Sequence, residues 1–169
     1  MLKRFWRDWM KELLVALALA LVIRAGIAEA SIVPTTSMVP TVLPGDRVFS
    51  EKFAFRFTGL HRGDIVIFTP PFQSPDDFMK RVIGLPGETV AVHDGKVWVN
   101  GAPLSEPYIR EAPRYIYGPV TVPPGKILVL GDNRNVSYDS HAWGLLDIAA
   151  VHGRSVFRYW PLRRAGPLH

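Results

Sequence analysis

ETVAVHDGKVWVNG, residues 88–101, carries the pattern of a β-hairpin. Two runs rich in β-branched and aromatic residues, Glu88–His93 and Lys96–Val99, flank Asp94-Gly95, the dipeptide best suited to a two-residue turn. Asn100-Gly101 follows directly as a second turn signal. The same pattern extends in both directions. Asp64–Phe68 (DIVIF), Ile127–Leu130 (ILVL) and Ser155–Trp160 (SVFRYW) are short runs of strand character between glycine and proline punctuation. Beyond residue 30 no long stretch has helical periodicity, and no segment repeats. Phe53, Phe55 and Phe57, alternating with Ala54 and Arg56, read as one face of a further strand, turned to the core or to a membrane surface. Residues 103–124 hold six prolines and predict an irregular excursion from the sheet. These readings predict a mostly β protein: a single antiparallel β-sheet or partly open barrel over residues 31–169.

Composition narrows the chemistry. The chain has 169 residues and a mass of 18.9 kDa, enough for one domain with an appendage. It contains no cysteine, which excludes disulfide scaffolds, thiolate metal sites and a cysteine nucleophile. The net charge of +5 admits nucleic acid or anionic lipid as partners without choosing between them. That charge is dispersed and no base-stacking motif accompanies it, so no nucleic-acid partner is expected. His61, His93, His152 and His169 lack metal-ligand spacing, so neither a metal nor another cofactor is expected.

Residues 1–30 stand apart. Lys3, Arg4, Arg7 and Lys11 precede an uninterrupted apolar run, Leu13–Ile23. Three readings compete: a buried helix, a cleaved secretory signal ending at Ala28-Glu29-Ala30, and a transmembrane anchor. The anchor requires counting the span from Phe5 or Trp9 to about Ala28, with Trp6 and Trp9 at one interface. The basic residues ahead of it would then keep the N-terminus cytoplasmic and put the remainder outside.

Three segments could carry chemistry. In the first, Pro34–Thr41 (PTTSMVPT), prolines bracket Ser37 in extended backbone. A serine hydroxyl needs a base before it is a useful nucleophile, and taken alone this stretch is equally an ordinary loop. The second is Phe78–Gly87 (FMKRVIGLPG), where alternation puts Lys80 on one face with Phe78 and Val82. An exposed edge-strand lysine would guard against aggregation, whereas a buried one would lose its charge readily. A pKa near 7–8 corresponds to roughly 3–5 kcal/mol of differential destabilisation, and such an amine can act as general base. The third, Gly131–Gly144 (GDNRNVSYDSHAWG), is the densest polar stretch; it reads as a hydrogen-bonding kit or as a solvated Asx-rich turn.

Together these segments resemble the bacterial type I signal peptidases. Pro34–Thr41, Gly45-Asp46-Arg47-Val48, Gly63–Phe68, Lys80–Gly87 and Gly131–Gly144 match that family's motifs in order. The resemblance implies a membrane-bound serine endopeptidase at the plasma membrane, with residues 1–30 as the cytoplasmic tip and anchor. Residues 31–169 would be the extracytoplasmic peptidase domain. It implies Ser37 as nucleophile and Lys80 as base, with Thr35 and the Ser37 N–H forming the oxyanion hole. Ser137 would orient the lysine, Arg81 would pair with Asp132, and Asp139 would brace its loop. Where the family carries arginine this chain has His141, which makes an Asp139–His141 pair and a rival base. The substrates implied are signal peptides of exported preproteins, cut after small-x-small residues, with membrane lipid as the second partner. Val33, Met38 and Met79 are candidates for the pocket walls or for plain core packing. Two rivals are a self-cleaving repressor-type peptidase, which would need a DNA-binding segment before the catalytic part, and a catalytically silent, membrane-tethered β domain.

Overall fold

The computed structural model describes residues 9–17 and 28–168. Residues 9–17 are helical. Among the described residues no helix is long and apolar enough to cross a membrane. The expected anchor lies largely outside the described residues.

The body is built on β1 (Ala28–Ile32), β2 (Arg47–Glu51), β3 (Ile65–Phe68), β4 (Phe78–Gly84), β5 (Thr89–His93), β6 (Lys96–Val99) and β7 (Ala102–Pro103). Then follow β8 (Tyr117–Thr121), β9 (Lys126–Leu130), β10 (Leu146–Asp147), β11 (Val151–Trp160) and β12 (Gly166–Pro167). The hairpin forms as read: Asp94 and Gly95 both take positive φ, 52° and 69°, and Val92 pairs with Val97.

The strands divide into two sheets rather than one. The larger has the order β1-β2-β11-β3-β4-β9-β10, with β12 also on β11; the smaller has the order β7-β6-β5-β8. All pairings are antiparallel, and register shifts in β11 and in β4 at Val82/Gly84 curl the larger sheet into a half-barrel. The division has a packing cause. Along β9, Ile127 and Val129 enter one core with Val66, Phe68 and Val82, while Leu128 and Leu130 enter another with Val90, Val92 and Val97 of the smaller sheet and Val122 just beyond β8. With apolar side chains on both faces, the larger sheet needs cover on each side. Gly84 marks the closest approach: a Cβ there would lie 2.7 Å from Val90 Cγ2 and 3.0 Å from Leu128 Cβ.

Other local expectations are corrected. Residues 53–57 are not a strand: Phe55–Thr58 is a short helix, Phe55 is buried, and Phe53 and Phe57 are exposed. The Glu51 carboxylate accepts the Phe53, Ala54 and Phe55 N–H groups, satisfying the donors of that turn and ending β2. The excursion after Asn100 is not wholly irregular, because Tyr117–Thr121 pairs with β5. Ala28–Ala30, grouped with the N-terminal segment by sequence, lie in β1 against Phe49–Glu51.

Candidate active site

The serine segment links β1 to β2. Val33 donates to Asp46 O and accepts from Gly45 N, which closes the loop at its base. Val39 N donates to Thr36 O and Val42 N to Met38 O, so residues 36–42 wind into successive turns. Met38 points inward, fully buried with Val33, Val42, Val48 and Ile65. It packs in the core beneath the turn and is not among the residues lining the cleft that holds Ser37 and Lys80, where the expectation grouped it with Val33 and Met79. Ser37 is thereby left at the surface of the segment, its Oγ 3.2 Å from Thr35 Oγ1.

Lys80 comes from the middle of β4, opposite Val66 of β3. It is only 3% exposed. Its Nζ lies 5.3 Å from the centroid of the Phe78 ring. Phe72 packs edge-on against both Phe78 (5.6 Å) and Tyr138 (5.5 Å), and these last two residues line the same cleft as Lys80. Burial lowers the Lys80 pKa to about 8, against the opposing pull of the Asp139 and Asp132 carboxylates.

Ser37, Thr35 and Lys80 line one cleft of about 430 Å³, whose apolar walls include Val33, Ile67, Phe78 and Met79. Two of the three candidate wall residues, Val33 and Met79, are therefore at the cleft. Two strand edges meet it. β1 is the outer strand of the larger sheet, and on β4 only Arg81–Gly84 pair with β9, so Phe78–Lys80 pair with no strand on that side among the described residues.

The polar loop after β9 closes the site from behind. Arg81 donates from Nε and Nη2 to the two oxygens of Asp132 at 2.8 and 2.7 Å, a fully buried bidentate pair, and from Nη1 to Gly63 O. Asp139 accepts from Gly131 N at 2.8 Å, and its other oxygen contacts His141 Nδ1 at 2.7 Å. The His141 ring stacks on Tyr115 at 4.2 Å, and the residue is not among those lining the cleft. Ser137 Oγ is buried and has no hydrogen-bond partner among the described residues. A hydroxyl of this kind keeps its bonding capacity for a neighbour.

Several residues that hold the site were not singled out by sequence. Asn133 N donates to Ser37 O at 3.0 Å and its side chain to Thr36 O at 3.1 Å, tying the serine segment to the polar loop. Thr41 donates to Asp132. Arg134 is buried and bonded to Gly131 O. Asn133 and Arg134 stand within the dense polar stretch, so the signal was present; their partners were not.

Comparison with known proteins shows the family of the chain. The family model described as "Signal peptidase, peptidase S26" matches residues 6–160. A protein of Leptolyngbya laminosa named signal peptidase I is 48% identical over 168 residues, covering 95% of this chain and 83% of the relative. Thylakoidal processing peptidase 1, chloroplastic, of Arabidopsis thaliana is 42% identical over 161 residues, covering 89% of this chain and 47% of that protein. The crystal structure of a signal peptidase I from Enterococcus faecalis superposes with a TM-score of 0.51 at 35% identity, over 56% of this chain and 95% of that one. With a family match over residues 6–160 and a relative 48% identical matched over 83% of its length, the chain belongs to the signal peptidase family, peptidase S26.

Proposed function

We propose that the protein is a membrane-tethered serine endopeptidase that removes signal peptides from exported preproteins through a Ser37/Lys80 dyad. The observation that carries this reading is the buried Lys80 amine, pushed down to about 8, in the same cleft as the Ser37 hydroxyl. Lys80 Nζ takes the proton as Ser37 Oγ attacks the scissile carbonyl carbon. The resulting oxyanion is stabilised by the Ser37 N–H and the Thr35 hydroxyl, a kind of contact worth on the order of 3–4 kcal/mol. Collapse breaks the C–N bond, and the lysine's proton goes to the departing amine of the mature protein. Water, deprotonated by Lys80 Nζ, then attacks the ester carbonyl; the C–Oγ bond breaks, the proton passes from Lys80 to Ser37 Oγ, and the signal peptide leaves as a carboxylate. Ser137 orients Nζ. His141 is engaged by Asp139 and Tyr115, which favours Lys80 as the base.

The substrate enters as an extended strand between β1 and the unpaired edge of Phe78–Lys80, a form of β-addition. Shallow walls built from Val33, Ile67 and Met79 suit small side chains and reject bulky ones. The preceding segment anchors the enzyme in the plasma membrane, N-terminus inside and body on the outer face. A surface of the body supports this placement. Ile32, Arg47 and Trp160 are cross-strand neighbours, as are Phe49 and Phe157, and all five side chains are exposed on one face of β1, β2 and β11. Apolar side chains with a cation suit the headgroup boundary.

A preprotein cleavage assay tests the dyad. Ser37→Ala and Lys80→Met are expected to abolish turnover, and the wild type to lose about tenfold per pH unit below an apparent pKa near 8. Near-normal turnover by Lys80→Met, with loss in His141→Ala, would transfer the base role to the histidine.

A further inference from the structure

The proline-rich segment between β7 and β8 crosses the polar loop of the active site and is bonded to it at several points. Glu106 receives a bidentate pair from Arg134 (Nη1 to Oε2, 2.8 Å; Nη2 to Oε1, 2.7 Å), with both side chains almost wholly buried. The Tyr108 hydroxyl donates to Glu106 Oε1 at 2.9 Å. The Tyr108 ring lies under the Arg81 guanidinium, 4.0 Å from Cζ to centroid. Further along, Asn135 Oδ1 accepts from Arg114 N and Asn135 Nδ2 donates to Ala112 O, at 2.8 and 3.0 Å.

Both arginines lead to one place. Arg134 Nε donates to Gly131 O at 3.0 Å, and Arg81 holds Asp132 by both oxygens. Gly131 has little room to move. A Cβ on it would stand 2.2 Å from Ser137 Oγ and 2.5 Å from Ser37 O, so its backbone forms the floor under both serines. An arginine fixed at its far end by a buried carboxylate is a rigid strut, because its planar fork has one geometry for two bonds. Without Glu106, the Arg134 guanidinium would be a buried, unpaired charge and would turn away from Gly131.

We propose that Glu106 and Tyr108 are positioning residues for the cleavage reaction, holding Arg134 and Arg81 so that the Gly131–Asp132 turn seats Ser37 and Ser137. This rests on the dyad reading. The pair touches no substrate and acts through the turn, at which displacement on the scale of 1 Å costs about 100-fold in rate.

The test uses the full-length protein and three readouts: kcat and KM on a signal-peptide substrate, melting temperature, and hydrogen exchange at the Gly131 and Asn133 amides. For Glu106→Gln the expected result is kcat lower by about 10- to 100-fold, KM within about twofold, and faster exchange at both amides. Tyr108→Phe keeps the ring under Arg81 and should stay within about threefold of wild type, while Tyr108→Leu should lose kcat as Glu106→Gln does. The double variant Glu106→Leu/Arg134→Met leaves no orphan charge and recovers stability, yet kcat stays low because Gly131 O has lost its donor. Recovery of kcat together with stability in that double variant would overturn the proposal. So would a folded Glu106→Gln or Tyr108→Leu with wild-type kcat and unchanged exchange. Exchange is also read in a Ser37→Ala background, where it reports on the strut without turnover. Cleavage by Ser37→Ala itself would overturn the dyad and leave the exchange result standing, so the two failures are distinct.

Discussion

Lys80 concentrates the conflict between stability and function in a single side chain. Its amine ordinarily titrates near 10.5 and is lowered here to about 8 by burial, so the folded protein holds a charge it disfavours at neutral pH. The folded-state pKa lies below the unfolded one. Between about 8 and 10.5 the unfolded chain therefore binds more protons, and stability rises with pH across that window. Below it the full penalty applies, about 3 kcal/mol. Lys80→Met is accordingly expected to be inactive and to melt higher than wild type at pH 7, with the gain shrinking towards pH 10. Equal melting temperatures across that range would mean that the amine is solvated. The residue type and its apolar neighbours were legible in sequence. Its burial was not, because Val66, its partner on β3, and Tyr138, which lines the same cleft, come from other segments.

At the scale of elements, the turn after β9 matters most. Gly131 is not in the left-handed region; it is glycine because no Cβ fits against the Ser37 carbonyl. Gly131→Ala is expected to cost about 1–3 kcal/mol of stability through overpacking. It should also lower kcat by about 100-fold or more, since the clash displaces the serine seat. Chemical denaturation and steady-state kinetics on the same preparation check both parts. The turn that begins the helix at Phe55–Thr58 depends on Glu51, whose carboxylate serves three N–H groups and also Arg154. Glu51→Ala should lower stability by about 1–2 kcal/mol, seen as a lower melting temperature with KM unchanged. Alternation suggested a strand at 53–57 because the three phenylalanines keep period two. The capping carboxylate two positions earlier decided otherwise, burying Phe55 and exposing its neighbours.

On the scale of the whole molecule, two aromatic side chains, one just before the Phe55–Thr58 helix and one within it, stay outside the core. Phe53 and Phe57 pack on each other at 4.8 Å, and Phe57 is 75% exposed. Large exposed aromatics beside Lys52 and Arg56 suit a lipid boundary. The double variant Phe53→Ser/Phe57→Ser is expected to cleave a soluble peptide at the wild-type rate and to process a vesicle-embedded preprotein more slowly. Equal rates on both substrates would remove these residues from any membrane role.

Strand identity was written locally. Period-two alternation and the Asp94-Gly95 and Asn100-Gly101 turns depend on neighbours in the chain, so the β5–β6 hairpin, β3, β4, β9 and the second half of β11 could be read directly, six of the twelve strands. The types and order of Ser37, Lys80 and the polar loop were legible for the same reason. What only the folded chain decided was pairing across distance. β11 lies between β2 and β3, about a hundred residues earlier, and apolar side chains on both faces of β9 demanded a second sheet. Met38 as core instead of cleft wall, the dry setting of Lys80 and the Glu106–Arg134 strut belong to that second kind. Each depends on which remote surfaces are brought together to exclude water, and no local pattern encodes that.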